Sequence, residues 1–150
     1  MSHNKEDVQS LKSRIVEIRH DLKDKLVPIG EFLDNSKDWG NCSNINIILR
    51  SDKIIIADNG EGIDKKRIEN ILKFGKTNEN VDVGKIGKFG LGMKKGSIIL
   101  SNKISVYTKN NKDYWKSIAD WGDMSEKNTY KPNTSQMISD DIKKFHEFIK

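Results

Sequence analysis

The first segment whose residue types suit chemistry contains Glu31, Asn35 and Asp38. If this stretch is helical, the spacing of four and then three residues places all three polar groups on one face. Two carboxylates and an amide along the edge of a buried helix require partners, because unpaired polar groups are costly to bury. An ordinary solvent-exposed helix face explains the same spacing, so the segment alone leaves both interpretations open.

A second segment, Asp58-Asn59-Gly60-Glu61-Gly62, directly follows the apolar run 54–57. A carboxylate at the end of a strand, followed by two spaced glycines, allows the backbone to approach a flat ligand closely. The same residues also make a good tight turn. Taken alone, the segment therefore predicts either a binding loop or a simple turn.

The third segment is rich in glycine and basic residues. Gly87, Gly90 and Gly92 are followed directly by Met93, Lys94 and Lys95. Glycine-rich backbone that leads into a helix presents unpaired N–H groups, which suit a phosphate, and a lysine adds charge nearby. This glycine pattern is weak evidence on its own.

The elements that must position these segments follow from periodicity. Two helices are predicted first, the second over residues 28–39 with Pro28 in its first turn. A hairpin with strands at 45–49 and 54–57 then leads into Asp58, and Asp64 is suited to cap a further helix. The apolar stripe of the first helix comprises Val8, Leu11, Ile15, Ile18 and Leu22.

The second half of the chain predicts a long loop at residues 75–90, which holds four glycines, followed by a helix from Gly92. Strands are expected at 103–108 and 114–119, and residues 125–138 read as polar and irregular. A closing amphipathic helix carries Ile142, Phe145 and Phe148. This order predicts an α+β fold, a sheet with helices packed on one face.

Bulk properties limit the class of protein. The 150 residues suit one domain, and a net charge of +5 favours polyanions, although scattered lysines more commonly form a solvated surface. The single cysteine, Cys42, excludes an internal disulfide and suits a reducing cytoplasm. The start of the chain shows no signal-peptide pattern, and no run approaches the ~20 apolar residues of a membrane span. We therefore expect a soluble, intracellular domain without a membrane partner.

Together and in this order, the three segments resemble the Bergerat nucleotide site of the gyrase, heat-shock chaperone, histidine kinase and MutL (GHKL) superfamily. The motif order is most similar to that of MORC-type ATPases, through EFLDNSKD, IADNGEGI, ILKFGKT, GKFGLGMKKGS and VYTKN. The resemblance implies a two-layer α/β sandwich with a mixed, mostly antiparallel sheet and a long ATP lid. It divides the single domain 1–150 into an N-terminal helix (1–27), a nucleotide-binding core (28–121) and a C-terminal loop and helix (122–150), which is expected to be truncated.

The resemblance also implies roles for individual residues. Glu31 would be the general base that activates the attacking water, Asn35 would supply an oxygen to Mg²⁺, and Asp38 would help to fix the nucleotide. Asp58 would accept a hydrogen bond from the adenine amine. The remaining residues that it implies for binding ATP are Gly60, Gly62, Lys76, Gly87, Gly90, Leu91, Gly92 and Lys94.

Two departures from the family pattern concern catalysis rather than binding. The family pattern includes a phosphate-contacting threonine on a later strand, which the sequence does not show after Thr108, and a lysine from a following transducer domain, for which we expect no room in these 150 residues. The implied function is slow ATP hydrolysis, in a homodimeric clamp gated by ATP or with DNA or a protein partner that supplies the missing groups. A non-hydrolysing nucleotide-binding module is the alternative. A histidine kinase catalytic domain, suggested by His20, is a further one that the position of His20 on the helix before the site disfavours.

Overall fold

The computed structural model describes residues 10–21, 24, 26–38, 40–74 and 85–149, and these form an α+β domain. Pairs of helices and pairs of strands follow one another as far as β4, after which single elements alternate. Their order is α1 (Leu11–Asp21), α2 (Leu26–Asp38), β1 (Ile45–Leu49), β2 (Ile54–Asp58), α3 (Lys65–Asn70), α4 (Lys85–Leu100), β3 (Lys103–Asn110), β4 (Asp113–Asp120), α5 (Trp121–Glu126), β5 (Asn133–Gln136) and α6 (Ser139–Phe148).

Among the described residues the strands form two antiparallel sheets, which agrees with the α+β fold and the mostly antiparallel pairing that the resemblance implies. The predicted hairpin is confirmed, because β1 pairs with β2 in a register that places Ile47 opposite Ile56. The second sheet has the order β3-β4-β5. Its first hairpin turns at Asn111, whose φ of 54° belongs to the left-handed region that asparagine tolerates in two-residue turns. No parallel strand pair occurs within the described residues.

The core lies between the inner face of the second sheet and helices α1, α3, α4 and α5. The predicted stripe of α1 is confirmed at Leu11 and Ile15, which are buried; Val8 and Leu22 lie outside the described residues. Phe74 meets Trp121 edge-on at 5.5 Å between ring centroids. The buried apolar residues of this cluster are Leu11, Ile15, Ile68, Ile71, Leu72, Phe74, Ile98, Ala119, Trp121 and Met124.

The last helix, α6, lies on the opposite face of the second sheet. Side chains alternate along β4, so that Ser117 is buried in the core while Lys116 points outward. Lys116 pairs with Asp141 of α6 at 2.6 Å, and Tyr114 bonds His146 at 3.1 Å. Helices therefore cover both faces of this sheet, whereas the sequence predicted them on one face.

Two other expectations are corrected. The helix predicted from Gly92 begins at Lys85, so residues 85–90 are helical rather than part of the loop. The tract 125–138, predicted to be irregular, includes the end of α5 and the strand β5. Both elements are short and polar, and neither shows the apolar periodicity on which the prediction depended. Among the described helices, none combines the length and the apolarity that crossing a membrane requires.

Candidate functional site

The carboxylate of Asp58 is held by two donors at the end of β2. Its Oδ1 accepts a hydrogen bond from the backbone N–H of Gly60 at 2.9 Å, and its Oδ2 accepts one from the hydroxyl of Ser36 at 2.8 Å. Ser36 belongs to α2, so this bond connects the helix of the first motif to the strand of the second. Sequence reasoning missed Ser36, because a serine inside a helix gives no signal of what it contacts.

The glycines of the second motif allow close backbone contact with the end of α2. The N–H of Glu61 donates to the carbonyl of Gly40 at 2.8 Å, and a Cβ on Gly60 would overlap that carbonyl oxygen. The N–H of Gly40 in turn bonds the carbonyl of Asn35 at 3.3 Å. The first two motifs are therefore joined through backbone as well as through the Ser36 hydroxyl.

Gly62 fixes the same loop to β3. Its φ of 76° belongs to the left-handed region, and a Cβ there would overlap the carbonyl oxygen of Lys109. The N–H of Ile63 donates to the Thr108 hydroxyl at 2.7 Å, and the side-chain amide of Asn110 donates to the carbonyl of Glu61 at 3.0 Å. Gly62 is therefore required both for its backbone conformation and for its close approach to β3.

The three polar residues predicted on one helix face lie on α2 but differ in burial. Asn35 is 9% exposed, and its Nδ2 has no hydrogen-bond partner among the residues that the structure describes. Glu31 and Asp38 are exposed. A buried amide nitrogen without a partner is unusual in a folded protein, and it makes Asn35 a candidate for contact with a ligand. Rotation of the side-chain amide exchanges its oxygen and nitrogen, so the oxygen can take either of the two positions.

Helix α4 packs on α2 through two glycines one helical turn apart. A Cβ on Gly92 would lie 2.9 Å from Oε2 of Glu31, and one on Gly96 would lie 3.2 Å from Cβ of Pro28. Phe32 borders Gly96 on the same side. Gly92 therefore leaves room for the carboxylate of Glu31, beside the third motif.

Lys94 faces away from this contact. Its ammonium donates to the carbonyl of Lys73 at 2.9 Å and lies 5.7 Å from the ring centroid of Phe74, which Arg14 also approaches at 4.9 Å. Burial, and secondarily the nearby Arg14 guanidinium, lowers the pKa of Lys94 from its ordinary 10.5. A phosphate contact from Lys94 remains a prediction, and it requires the ammonium to leave this carbonyl.

The other residues predicted in the third motif are part of α4. Gly87 lies in the first turn, where a backbone N–H has no partner within the helix. Gly90, Leu91 and Gly92 follow in the helix, where backbone N–H groups are normally paired. Their contact with phosphate thus remains a prediction that requires local unwinding. Lys76 lies outside the described residues.

Asn35 is the residue of the candidate site whose chemistry fits Mg²⁺. Asn35 offers an amide oxygen of the kind that Mg²⁺ accepts together with phosphate oxygens and water. Within the described part of the chain, no group of three histidine, cysteine, aspartate or glutamate side chains is arranged to hold a metal by itself.

A cavity of 340 Å³ is lined by residues outside the three motifs, although one of them, Lys73, accepts the hydrogen bond from Lys94. It is lined by Glu69, Asn70, Lys73, Lys131, Pro132 and Thr134. None of these lining residues belongs to the three motifs. The candidate site around Asp58 is therefore identified by the hydrogen bonds of its residues and not by this cavity.

Comparison with known proteins agrees with the motif order. Residues 27–149 match the family described as histidine kinase-, DNA gyrase B-, and HSP90-like ATPase. A mouse (Mus musculus) protein named ATPase MORC2B is 27% identical over 89 residues, which cover 54% of this chain and 9% of that relative. The chain thus corresponds to a small part of the relative's length. Since the family matches well over half of the sequence, the chain belongs to the histidine kinase-, DNA gyrase B- and HSP90-like ATPases and resembles their MORC-type members.

Proposed function

We propose that this domain binds ATP together with Mg²⁺ and hydrolyses it slowly to ADP and phosphate. The observations that carry the proposal are the Asp58 carboxylate, which Ser36 and Gly60 hold in one orientation, and the buried Nδ2 of Asn35, which has no partner among the described residues. A fixed acceptor and an unsatisfied amide on adjoining elements suit a ligand with both a base and phosphates.

The acceptor character of Asp58 gives a reason for selecting adenine. An ionised carboxylate only accepts hydrogen bonds, and adenine offers an exocyclic amine where guanine offers a carbonyl oxygen. Facing two acceptors costs about 1–3 kcal/mol, which corresponds to roughly a 5- to 150-fold weaker affinity for GTP. A Cβ on Gly60 would lie 3.0 Å from Oδ1 of Asp58, so this glycine keeps side-chain atoms away from the carboxylate.

Glu31 is the candidate general base. It is exposed on the same helix face as Asn35, one turn away, and its carboxylate lies beside the backbone of Gly92. When bound, Mg²⁺ neutralises charge on the phosphates, and Asn35 is the residue that would hold it. Glu31 would orient a water for in-line attack and accept its proton, which contributes typically about 10²–10⁴-fold to a rate. Asp38, one turn further on, is exposed and available to orient the nucleotide.

A non-hydrolysing binding module is the second candidate, and the position of Lys94 favours it. The ammonium that the family pattern would direct to phosphate is engaged with the carbonyl of Lys73. If the Lys94 ammonium stays at the Lys73 carbonyl when ATP binds, we expect the domain to bind ATP without hydrolysing it. An ATP-gated clamp, and binding of DNA or of a protein that supplies the missing groups, are further proposals by analogy with MORC-type relatives.

Isothermal titration of the protein with ATP and Mg²⁺ tests the binding proposal. We expect heat with ATP, a much weaker signal with GTP, and loss of the ATP signal in Asp58→Asn, which replaces one acceptor oxygen by a donor. Asp52→Asn is the matched control, because Asp52 is exposed in the turn between β1 and β2 and pairs only with Lys53 among the described ion pairs. Absence of heat with ATP, or equal affinity for ATP and GTP, would refute the proposed pocket.

A further inference from the structure

The outer edge of β1 has backbone groups without a hydrogen-bond partner among the described residues. The bonds from Arg50 N–H to the Lys53 carbonyl and from Asn59 N–H to the Asn44 carbonyl bracket the β1–β2 ladder, and both involve even-numbered residues of the first arm. Backbone direction alternates along a strand, so Ile45, Ile47 and Leu49 direct their N–H and C=O groups away from β2. No strand of the described residues pairs with that edge.

This edge lacks the features that normally prevent association. Strand β1 reads Ile-Asn-Ile-Ile-Leu, without charge, proline or glycine, and Ile47 and Leu49 are 47% and 73% exposed. Exposed apolar edge strands readily pair with another strand, and natural proteins usually protect them with lysine, proline or short length. The other sheet is protected at both edges: the outward-facing residues of β3 include Lys103 and Lys109, and β5 is short and polar.

We propose that β1 pairs antiparallel with β1 of a second copy of this chain, in a register centred on Ile47. Ile47 would then face its own counterpart, and Ile45 would face Leu49 of the other copy. Each of these pairs joins outward-directed backbone groups, so the pairing makes six backbone hydrogen bonds and one continuous sheet of the order β2-β1-β1-β2. The arrangement has two-fold symmetry, as a closed homodimer requires.

A second copy is the partner that this edge fits best, because the strand complements itself. In the same register Arg50 would face Asn44 of the other copy, so no like charges are opposed across the pairing. The side chains of Ile47 and Leu49 share one face with Ile54, which is 44% exposed, and this apolar face would become continuous across the two copies. Two-stranded sheets are marginally stable in isolation, and pairing would give a sheet of four strands.

The inference does not rest on the proposed function. Asp58 lies on β2, on the side of the hairpin away from the edge that pairs, so dimerisation here requires no nucleotide. An ATP-gated dimer would instead appear only when ATP is present. The two proposals can therefore fail separately.

Sedimentation velocity of the full chain without nucleotide tests the inference. We expect the mass to rise with concentration from 17.2 kDa toward twice that value. Ile47→Lys and Ile47→Glu should each remain monomeric, because like charges meet at the symmetry axis; we expect association at least about tenfold weaker. An equimolar mixture of these two variants should recover a dimer, since opposite charges then meet at the axis.

Two more variants separate edge pairing from general stickiness. Ile47→Pro removes an N–H that points away from β2, so it should abolish the dimer while thermal unfolding shows that the domain remains folded. Ile138→Lys changes an apolar residue that is 63% exposed away from this edge, and it should leave the dimer intact. A monomeric wild type at every concentration, or a dimer that survives in Ile47→Lys, would overturn the proposal.

Discussion

Removing the Ser36 hydroxyl tests whether the orientation of Asp58 controls nucleotide affinity. In Ser36→Ala the carboxylate keeps the Gly60 amide but loses its second donor, which lies at 2.8 Å. Hydrogen bonds to charged groups contribute about 1.5–3 kcal/mol, and the lower end applies because this bond is only partly buried. When ATP binds to the variant, the freed carboxylate must be ordered again, and this costs part of that energy as binding free energy. We expect the Kd for ATP to rise about 3- to 10-fold.

The assay is titration calorimetry on the variant, with thermal unfolding measured in parallel. Ser36→Thr retains a hydroxyl and should keep the wild-type affinity. Ser43→Ala is a second control, because the Ser43 hydroxyl bonds Asn59 rather than Asp58. If Ser36→Ala unfolds at a lower temperature yet binds ATP as tightly as the wild type, then Ser36 only stabilises the fold and the reasoning is refuted.

Three other predictions concern Glu31, Gly62 and Asp141. Glu31→Gln should keep ATP affinity while phosphate release falls at least about 100-fold; an unchanged rate would exclude Glu31 as the base. Gly62→Ala should lower the free energy of unfolding by about 3 kcal/mol and the Tm by roughly 6–12 °C, whereas Gly30→Ala, which has no atom within 4 Å of the new Cβ, should be neutral or stabilising. The Lys116 ammonium lowers the pKa of Asp141 from its ordinary 3.8, so the stability that this carboxylate gives is present above pH 3.8 and lost as the pH falls through the lower pKa of the folded state. Urea unfolding midpoints of wild type and Asp141→Asn should therefore differ at neutral pH and converge in strong acid, and a gap that persists there would contradict the assignment.

The part of the fold that the sequence predicted is the part with strong local signals. The hairpin that delivers Asp58 and the helix carrying Glu31 and Asn35 were predicted because apolar periodicity and turn residues mark them. Helix α5 and strand β5 were missed, since six and four mostly polar residues have too little periodicity to detect. Tertiary packing determines these two elements, and no local sequence pattern indicates that packing.

The candidate site likewise contains residues that the sequence predicts and contacts that only the structure shows. Motif spacing predicted that Asp58 and Gly62 lie in one functional loop, and the left-handed φ of Gly62 gives the physical reason for that glycine. The partner of Asp58, Ser36, comes from an element 22 residues earlier in the chain, and only the three-dimensional arrangement shows it. The direction of Lys94 was likewise beyond prediction, because rotation around a helix axis decides whether a side chain faces α2 or the ring of Phe74.

The glycine contacts between α4 and α2 have a mechanical consequence. With no side chain at Gly92 or Gly96, the backbone of α4 lies directly against the side chains of Glu31, Pro28 and Phe32 on α2. We therefore expect a displacement of α4 to move Pro28, Phe32 and the carboxylate of Glu31, because no side chain lies at Gly92 or Gly96 to absorb it. Any event that pulls on α4, whether a ligand at its first turn or a partner protein, would therefore shift Glu31, the residue proposed as the general base.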